Sequence, residues 1–162
     1  MATLQRYTDR RVLITGGGSG IGQACVLRVL EEGGRVAAAD ISESGLKDTV
    51  AKAGDAAAGL TTVAMDVGSE YSVKAGVQQA IQELGGLDTL VNVAGILRSA
   101  HFLDTSLADF EQVLRINLVG TFLVTREALP TLRDGHAPAV VNFSSTSASF
   151  AHPYMSAYAA SK

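Results

Sequence analysis

Short runs of aliphatic and β-branched residues alternate along the chain with longer stretches whose apolar positions recur at helical spacing. RVLIT (11–15) reads as a buried strand, and GIGQACVLRVLEEG (20–33), closed by glycine, as a helix. RVAAAD (35–40) and ESGLKDTVAKAG (43–54) repeat the pair, as do TTVAMDV (61–67) and SEYSVKAGVQQAIQELG (69–85). LDTLVNVAG (87–95) predicts a fourth strand, LADFEQVLRINLVGTFLVTREALPTL (107–132) one long helix, and PAVVNFSS (138–145) a fifth strand. Strands joined by helical crossovers must run parallel. The pattern therefore predicts an α/β fold with a doubly wound parallel sheet and ligand sites at the carboxyl ends of its strands. No composition shift, linker or repeat divides residues 1–162, which are expected to form a single domain.

Composition narrows the function classes. With 47% hydrophobic and 18% charged residues, the 162-residue chain has the make-up of a protein that folds around a core. Its net charge of −3 provides no basic footprint, so neither nucleic acid nor a membrane surface is expected as a partner, and the ligands should be small. Cys25, the one cysteine, lies in an apolar helical run and reads as an inert buried thiol. His101, His136 and His152 show no ligand spacing, so no metal site is expected. MATLQRYTDRR has no apolar run after its charges, and no later stretch suits a membrane span; a cytoplasmic protein is expected.

The first chemical signal is TGGGSGIG (15–22), between the first strand and the first helix. It fits T-G-x-x-x-G-x-G and is not a Walker A loop, because no Lys-Ser/Thr follows the last glycine. Gly16, Gly18, Ser19, Gly20, Ile21 and Gly22 would let the backbone approach a phosphate at a helix N-terminus; the plainer alternative is a tight turn, and the strand before it and the helix after it favour an anion cradle in a dinucleotide-binding, Rossmann-type domain. Asp40 ends the second strand, 18 residues beyond Gly22, followed by Ile41. A carboxylate there accepts bonds from ribose hydroxyls and repels a 2′-phosphate, so NAD is favoured over NADP. The plainer alternative is that Asp40 or Ser42 merely caps the next helix.

TGGGSGIG, Asp66-Val67, NVAG (92–95), Asn117, VVNFSS (140–145) and YAASK (158–162) stand in the order and spacing of the short-chain dehydrogenase/reductase family, which the whole chain resembles. Val93 departs from the Asn-Asn-Ala-Gly common in that family. The resemblance implies an NAD-dependent oxidoreductase that transfers hydride between the cofactor and a secondary alcohol or ketone. It assigns catalysis to Asn117, Ser145, Tyr158 and Lys162, and lines or supports the cofactor with Asp66, Val67, Asn92, Ala94 and Gly95, together with Tyr158 and Lys162. In this scheme Tyr158 is the general acid/base, Ser145 binds the substrate oxygen, and Asn117 holds a water linked to Lys162. The residue chemistry agrees: a free tyrosine is phenolate only to about one part in a thousand at neutral pH, so Tyr158 needs a nearby cation, and Lys162 lies four residues on. Taken singly, each residue has a plainer role as cap, turn or core polar group, and the alternative function is a non-catalytic nucleotide-binding or scaffold protein with a vestigial site.

The helix 107–132 carries apolar residues on two sides: Phe110, Leu114, Leu118, Phe122 and Leu129 on one, and Val113, Ile116, Val119 and Leu123 on the other. It must be covered twice, and the family's cover is a partner subunit, so a homodimer or homotetramer is expected. Family members also run on past the Tyr-x-x-x-Lys motif. The expectation is that this chain is part of a longer enzyme whose C-terminal strands and substrate lid are missing here, and that residues 1–162 alone would be aggregation-prone and inactive.

Overall fold

A computed structural model describes residues 4–150 and 152–162. Within them, β1 (Arg11–Thr15), β2 (Arg35–Asp40), β3 (Leu60–Ala64), β4 (Thr89–Asn92) and β5 (Ala139–Asn142) form one parallel sheet in the order β3-β2-β1-β4-β5. The chain runs outward from β1 to β3, then crosses back to β4 and β5, so the direction of winding switches between β1 and β4. In an open α/β sheet, that point leaves a crevice at the carboxyl ends of the strands. The predicted doubly wound sheet is thus present.

Alternation along each strand divides the core into two layers. Val12, Ile14, Val36 and Ala38 face α1 (Gly20–Glu31) and α2 (Glu43–Ala53), where Val26, Leu30 and Leu46 cover them. Leu13, Ala37, Ala39 and Leu90 face α3 (Glu70–Leu84) and the later helices, against Val77, Leu123 and Leu132. Burying each such Val or Leu contributes roughly 1.5–3 kcal/mol relative to leaving it exposed. Helix starts follow local chemistry: Ser42 Oγ accepts from Gly45 N, Ser69 Oγ from Ser72 N and Ser106 Oγ from Asp109 N. Gly85 ends α3 in the left-handed conformation, at φ 73°.

At the amino ends of the strands, two buried carboxylates fix the chain. Asp88 accepts from Arg11 N, Nε and Nη2 and from His136 N, and the Arg11 hydrogen bonds hold its carboxyl well below the usual range. Glu32 is held by Arg6 and Arg28, and its pKa is lowered to about 2, chiefly by the Arg6 hydrogen bonds.

The strands are shorter than predicted at their carboxyl ends. Residues 65–67 and 93–95, which continue the apolar pattern, and 143–145, which follow β5, leave the ladder to line or support the crevice. The long helix also differs from expectation. It divides into α4 (Leu107–Leu114), a π-helical turn (Arg115–Gly120) and α5 (Thr121–Arg133). The wider turn carries Asn117 inward, and at Gly120 a Cβ would come within 3.0 Å of the Val67 carbonyl oxygen, so the helix backbone lies against the segment that follows β3. No described helix is long and apolar enough to cross a membrane.

Candidate active site

The crevice, a cleft of about 460 Å³, begins at the glycine loop. After Thr15 the chain turns at Gly16 (φ +71°), where a Cβ would come within 3.0 Å of the Ala94 backbone, and at Gly22 one would overlap the Gly16 carbonyl. Gly20 (φ +52°) has open space where its side chain would be. Ser19 precedes α1 with extended backbone and makes no side-chain cap, so the first-turn amides keep their capacity for an anion and the helix dipole favours one. Gly16, Ser19, Gly20, Ile21 and Gly22 line the cleft, while Gly18 lies behind it.

Gly18 instead donates its amide to Asp40 Oδ2 at 2.9 Å, and Ser42 N donates to Asp40 Oδ1 at 2.9 Å. Asp40 therefore helps shape the next turn, while Ser42 is the helix cap. Each carboxylate oxygen retains acceptor capacity toward the cleft, which Asp40 and Ile41 line. Asp66 and Val67 line the same end, with Asp66 oriented by the Gly68 amide at 2.8 Å. The donors and acceptors fit a dinucleotide: free helix amides for a pyrophosphate and a fixed carboxylate for a ribose diol.

The loop after β4 forms the middle of the cleft. Thr15 Oγ1 accepts from both Val93 N and Ala94 N at 3.1 Å, which lifts those residues out of the ladder. Ala94 and Gly95 face the cleft. Asn92 does not: its buried amide donates to Thr125 Oγ1 at 3.0 Å and Asn142 Oδ1 at 2.9 Å, tying β4 to α5 and β5. Asn117, 5% exposed, accepts from Ile96 N at 2.8 Å and donates to Ile96 O and Ser161 Oγ, both at 2.9 Å. Its side chain thus braces the loop and does not line the cleft.

Tyr158 lies in α6 (Ser156–Ala160), with Lys162 just beyond it. Both line the cleft, and Lys162 Nζ stands 5.6 Å from the centre of the Tyr158 ring. Lys162 Nζ donates to the Phe143 carbonyl at 3.0 Å, and burial pulls the ammonium below its ordinary pKa. Ser145 caps the turn 146–148, where its hydroxyl oxygen accepts from Ser147 N at 3.2 Å; it lies off the lining, and neighbouring Ser144 lies on it. Sequence reasoning chose Ser145 over Ser144 on its thirteen-residue spacing from Tyr158, and it missed Phe143, Ile96 and the two hydroxyl staples, Thr15 and Ser161. Only Thr15 had a local signal, as the last strand residue before the glycines.

The comparisons agree with this geometry. A family model described as short chain dehydrogenase matches residues 10–162. Levodione reductase of Leifsonia aquatica is 38% identical over 161 residues, covering 97% of this chain and 60% of the relative. The 2-dehydro-3-deoxy-L-rhamnonate dehydrogenase (NAD(+)) of a Sphingomonas strain is 34% identical over 158 residues, covering 97% and 62%. A crystal structure of levodione reductase superimposes with a TM-score of 0.90 at 35% identity, covering 96% of this chain and 62% of that one. The chain thus spans somewhat over half the length of these relatives. With a family model matched over residues 10–162 and relatives 34–38% identical across nearly all of its length, the chain belongs to the short-chain dehydrogenase family.

Proposed function

We propose that residues 1–162 form the dinucleotide-binding domain of an NAD-dependent oxidoreductase that interconverts a secondary alcohol and a ketone. The observation that carries this reading is the placement of Lys162 Nζ 5.6 Å from the Tyr158 ring, in the same cleft that the uncapped start of α1 lines. A nicotinamide dinucleotide bound along the cleft supplies the hydride acceptor or donor. The Tyr158 oxygen, as phenolate, takes the alcohol proton in oxidation, and the phenol hydroxyl returns it in reduction. Lys162, half-buried, sets a positive charge beside that ring so that negative charge can develop on the phenol oxygen. The Ser145 oxygen already accepts from Ser147 N, which leaves its proton to donate to the substrate oxygen. Asn117, whose side-chain amide is committed to Ile96 and Ser161, offers a water its carbonyl, which shares its acceptor capacity with the Thr121 hydroxyl.

Asp40 supports NAD over NADP, and no Lys or Arg in the glycine loop offers a partner for a 2′-phosphate. The NAD(+) named for the Sphingomonas relative agrees. Leu118, Phe122 and Leu129, 52%, 58% and 46% exposed, form an apolar stripe along α5 and the π-helical turn, which supports a homodimer or homotetramer. Turnover of secondary alcohols with NAD, and its loss in Tyr158→Phe, tests the proposal.

A further inference from the structure

Behind the glycine loop, a chain of hydrogen bonds runs inward from α2. Lys52 Nζ donates to Gln23 Oε1 at 2.8 Å, Gln23 Nε2 donates to Thr49 Oγ1 at 2.8 Å, and the Thr49 hydroxyl donates to the Gly17 carbonyl at 2.8 Å. The Gly45 carbonyl, at 3.0 Å, is the more distant acceptor for the same proton. Thr49 is fully buried and Gln23 nearly so. None of the three residues lines the cleft.

The Gly17 carbonyl and the Gly18 amide belong to one planar peptide unit. Thr49 holds the carbonyl end, and Asp40 Oδ2 accepts from the amide end at 2.9 Å. The peptide is therefore clamped between a buried hydroxyl on α2 and the Asp40 carboxylate, which lines the cleft. Rotation about the glycine dihedrals, which glycine permits more freely than any other residue, would break both bonds together. α2 is pressed close enough to make this contact because Gly45 has no side chain: a Cβ there would come within 2.7 Å of the Gly18 carbonyl oxygen. Gln23 fixes the following peptide as well, reaching the Gly18 carbonyl at 3.3 Å. Because each donor is itself polarised by the one before it, the chain has one direction and ends at the loop.

We propose that Thr49 is a specificity-positioning residue: its hydroxyl holds the 17–18 peptide so that the Gly18 amide aligns the Asp40 carboxylate, and the choice of NAD over NADP depends on this clamp. The proposal rests on the reading of Asp40 given above. Thr49→Val keeps the shape and removes the hydroxyl, while Thr49→Ser keeps the hydroxyl.

The test measures dissociation constants for NAD and NADP by titration calorimetry on the full-length protein and both variants. Thr49→Val is expected to weaken NAD about tenfold and NADP much less, so that the preference narrows by a comparable factor, and Thr49→Ser is expected to restore it. Equal weakening toward both cofactors, or an unchanged ratio, overturns the proposal, since a merely structural role moves both alike. Should Thr49→Val fail to fold, Gln23→Met removes the donor to the same hydroxyl and is expected to narrow the ratio about threefold; a ratio equal to the parent's overturns the proposal. A parent protein with no preference for NAD refutes the Asp40 reading itself. That failure is distinguishable because it appears before any substitution is made.

Discussion

Asn117 donates to Ser161 Oγ at 2.9 Å, and Ser161 Oγ in turn donates to the Tyr158 carbonyl at 2.7 Å. The π-helical turn is thereby joined to the helix that carries Tyr158, one residue before Lys162. The same asparagine pairs with both backbone groups of Ile96, so one buried side chain braces two walls of the cleft.

Replacing Asn117 by Ala leaves the Ile96 amide and carbonyl and the Ser161 hydroxyl short of partners in a buried site. The variant is expected to lose about 1–3 kcal/mol of stability. Turnover should fall at least about tenfold while NAD affinity changes only a few-fold, because the brace holds Ile96 and, through Ser161, the helix of Tyr158, both of which line the cleft. Thermal unfolding and steady-state kinetics read the two effects. Parent-like turnover would show that the brace is not needed for chemistry.

Cofactor choice is testable at Asp40. The full-length protein is expected to prefer NAD by at least about tenfold, which needs only about 1.4 kcal/mol of differential interaction. Replacing Asp40 by Ala and Ile41 by Arg together removes the repulsion and adds a cation at a position that is exposed beside the cleft, so the preference should move toward NADP. Catalytic efficiencies with the two cofactors measure this. Equal or better efficiency with NADP in the parent would contradict the assignment.

Acid sensitivity should come from the amino ends of the strands. Glu32 has a pKa of about 2 in the folded protein against an ordinary 4.5, and Asp88 is lowered as well. Both groups bind protons more readily when unfolded, so their contribution is complete above the ordinary carboxylate range and is lost as pH falls through the folded values. The melting temperature is expected to be nearly flat from pH 7 to about 5.5 and then to fall steadily. Asp88→Asn should lower it at neutral pH and flatten the acid limb. An acid limb of unchanged steepness in that variant would exclude Asp88 as a source.

Phe122→Glu places a charge in the exposed stripe formed with Leu118 and Leu129. Sedimentation velocity on the full-length protein should show a dimer or tetramer for the parent and a smaller species for the variant. A parent that sediments as a monomer contradicts the interface.

Much of this was legible in the sequence because its signals are local. The alternation RVLIT to RVAAAD specified the order of elements, and glycines followed by a helical pattern located the loop that opens α1 at the cleft. Ser69 and Gly85 marked both ends of α3. The strand ends were overextended because residues 65–67 and 93–95 are as apolar as the strands they follow. What ends the β4 ladder is a long-range bond, from the Val93 and Ala94 amides to Thr15. The π-helical turn was illegible for a related reason: apolar residues surround it on every side, so one added residue per turn leaves no break in the pattern. The clamp from Thr49 to Gly17 joins residues 32 apart and has no local signature at all.

The most direct test of the proposed function is Tyr158→Phe in the full-length protein, with turnover and NAD binding measured side by side. The ring and its place beside Lys162 remain, and only the hydroxyl is lost. Turnover is expected to fall by at least about a hundredfold, the scale of a lost general acid/base, while the dissociation constant for NAD stays within a few-fold of the parent. A variant that keeps a tenth or more of the parent's rate, with NAD binding intact, would show that Tyr158 is not the acid/base.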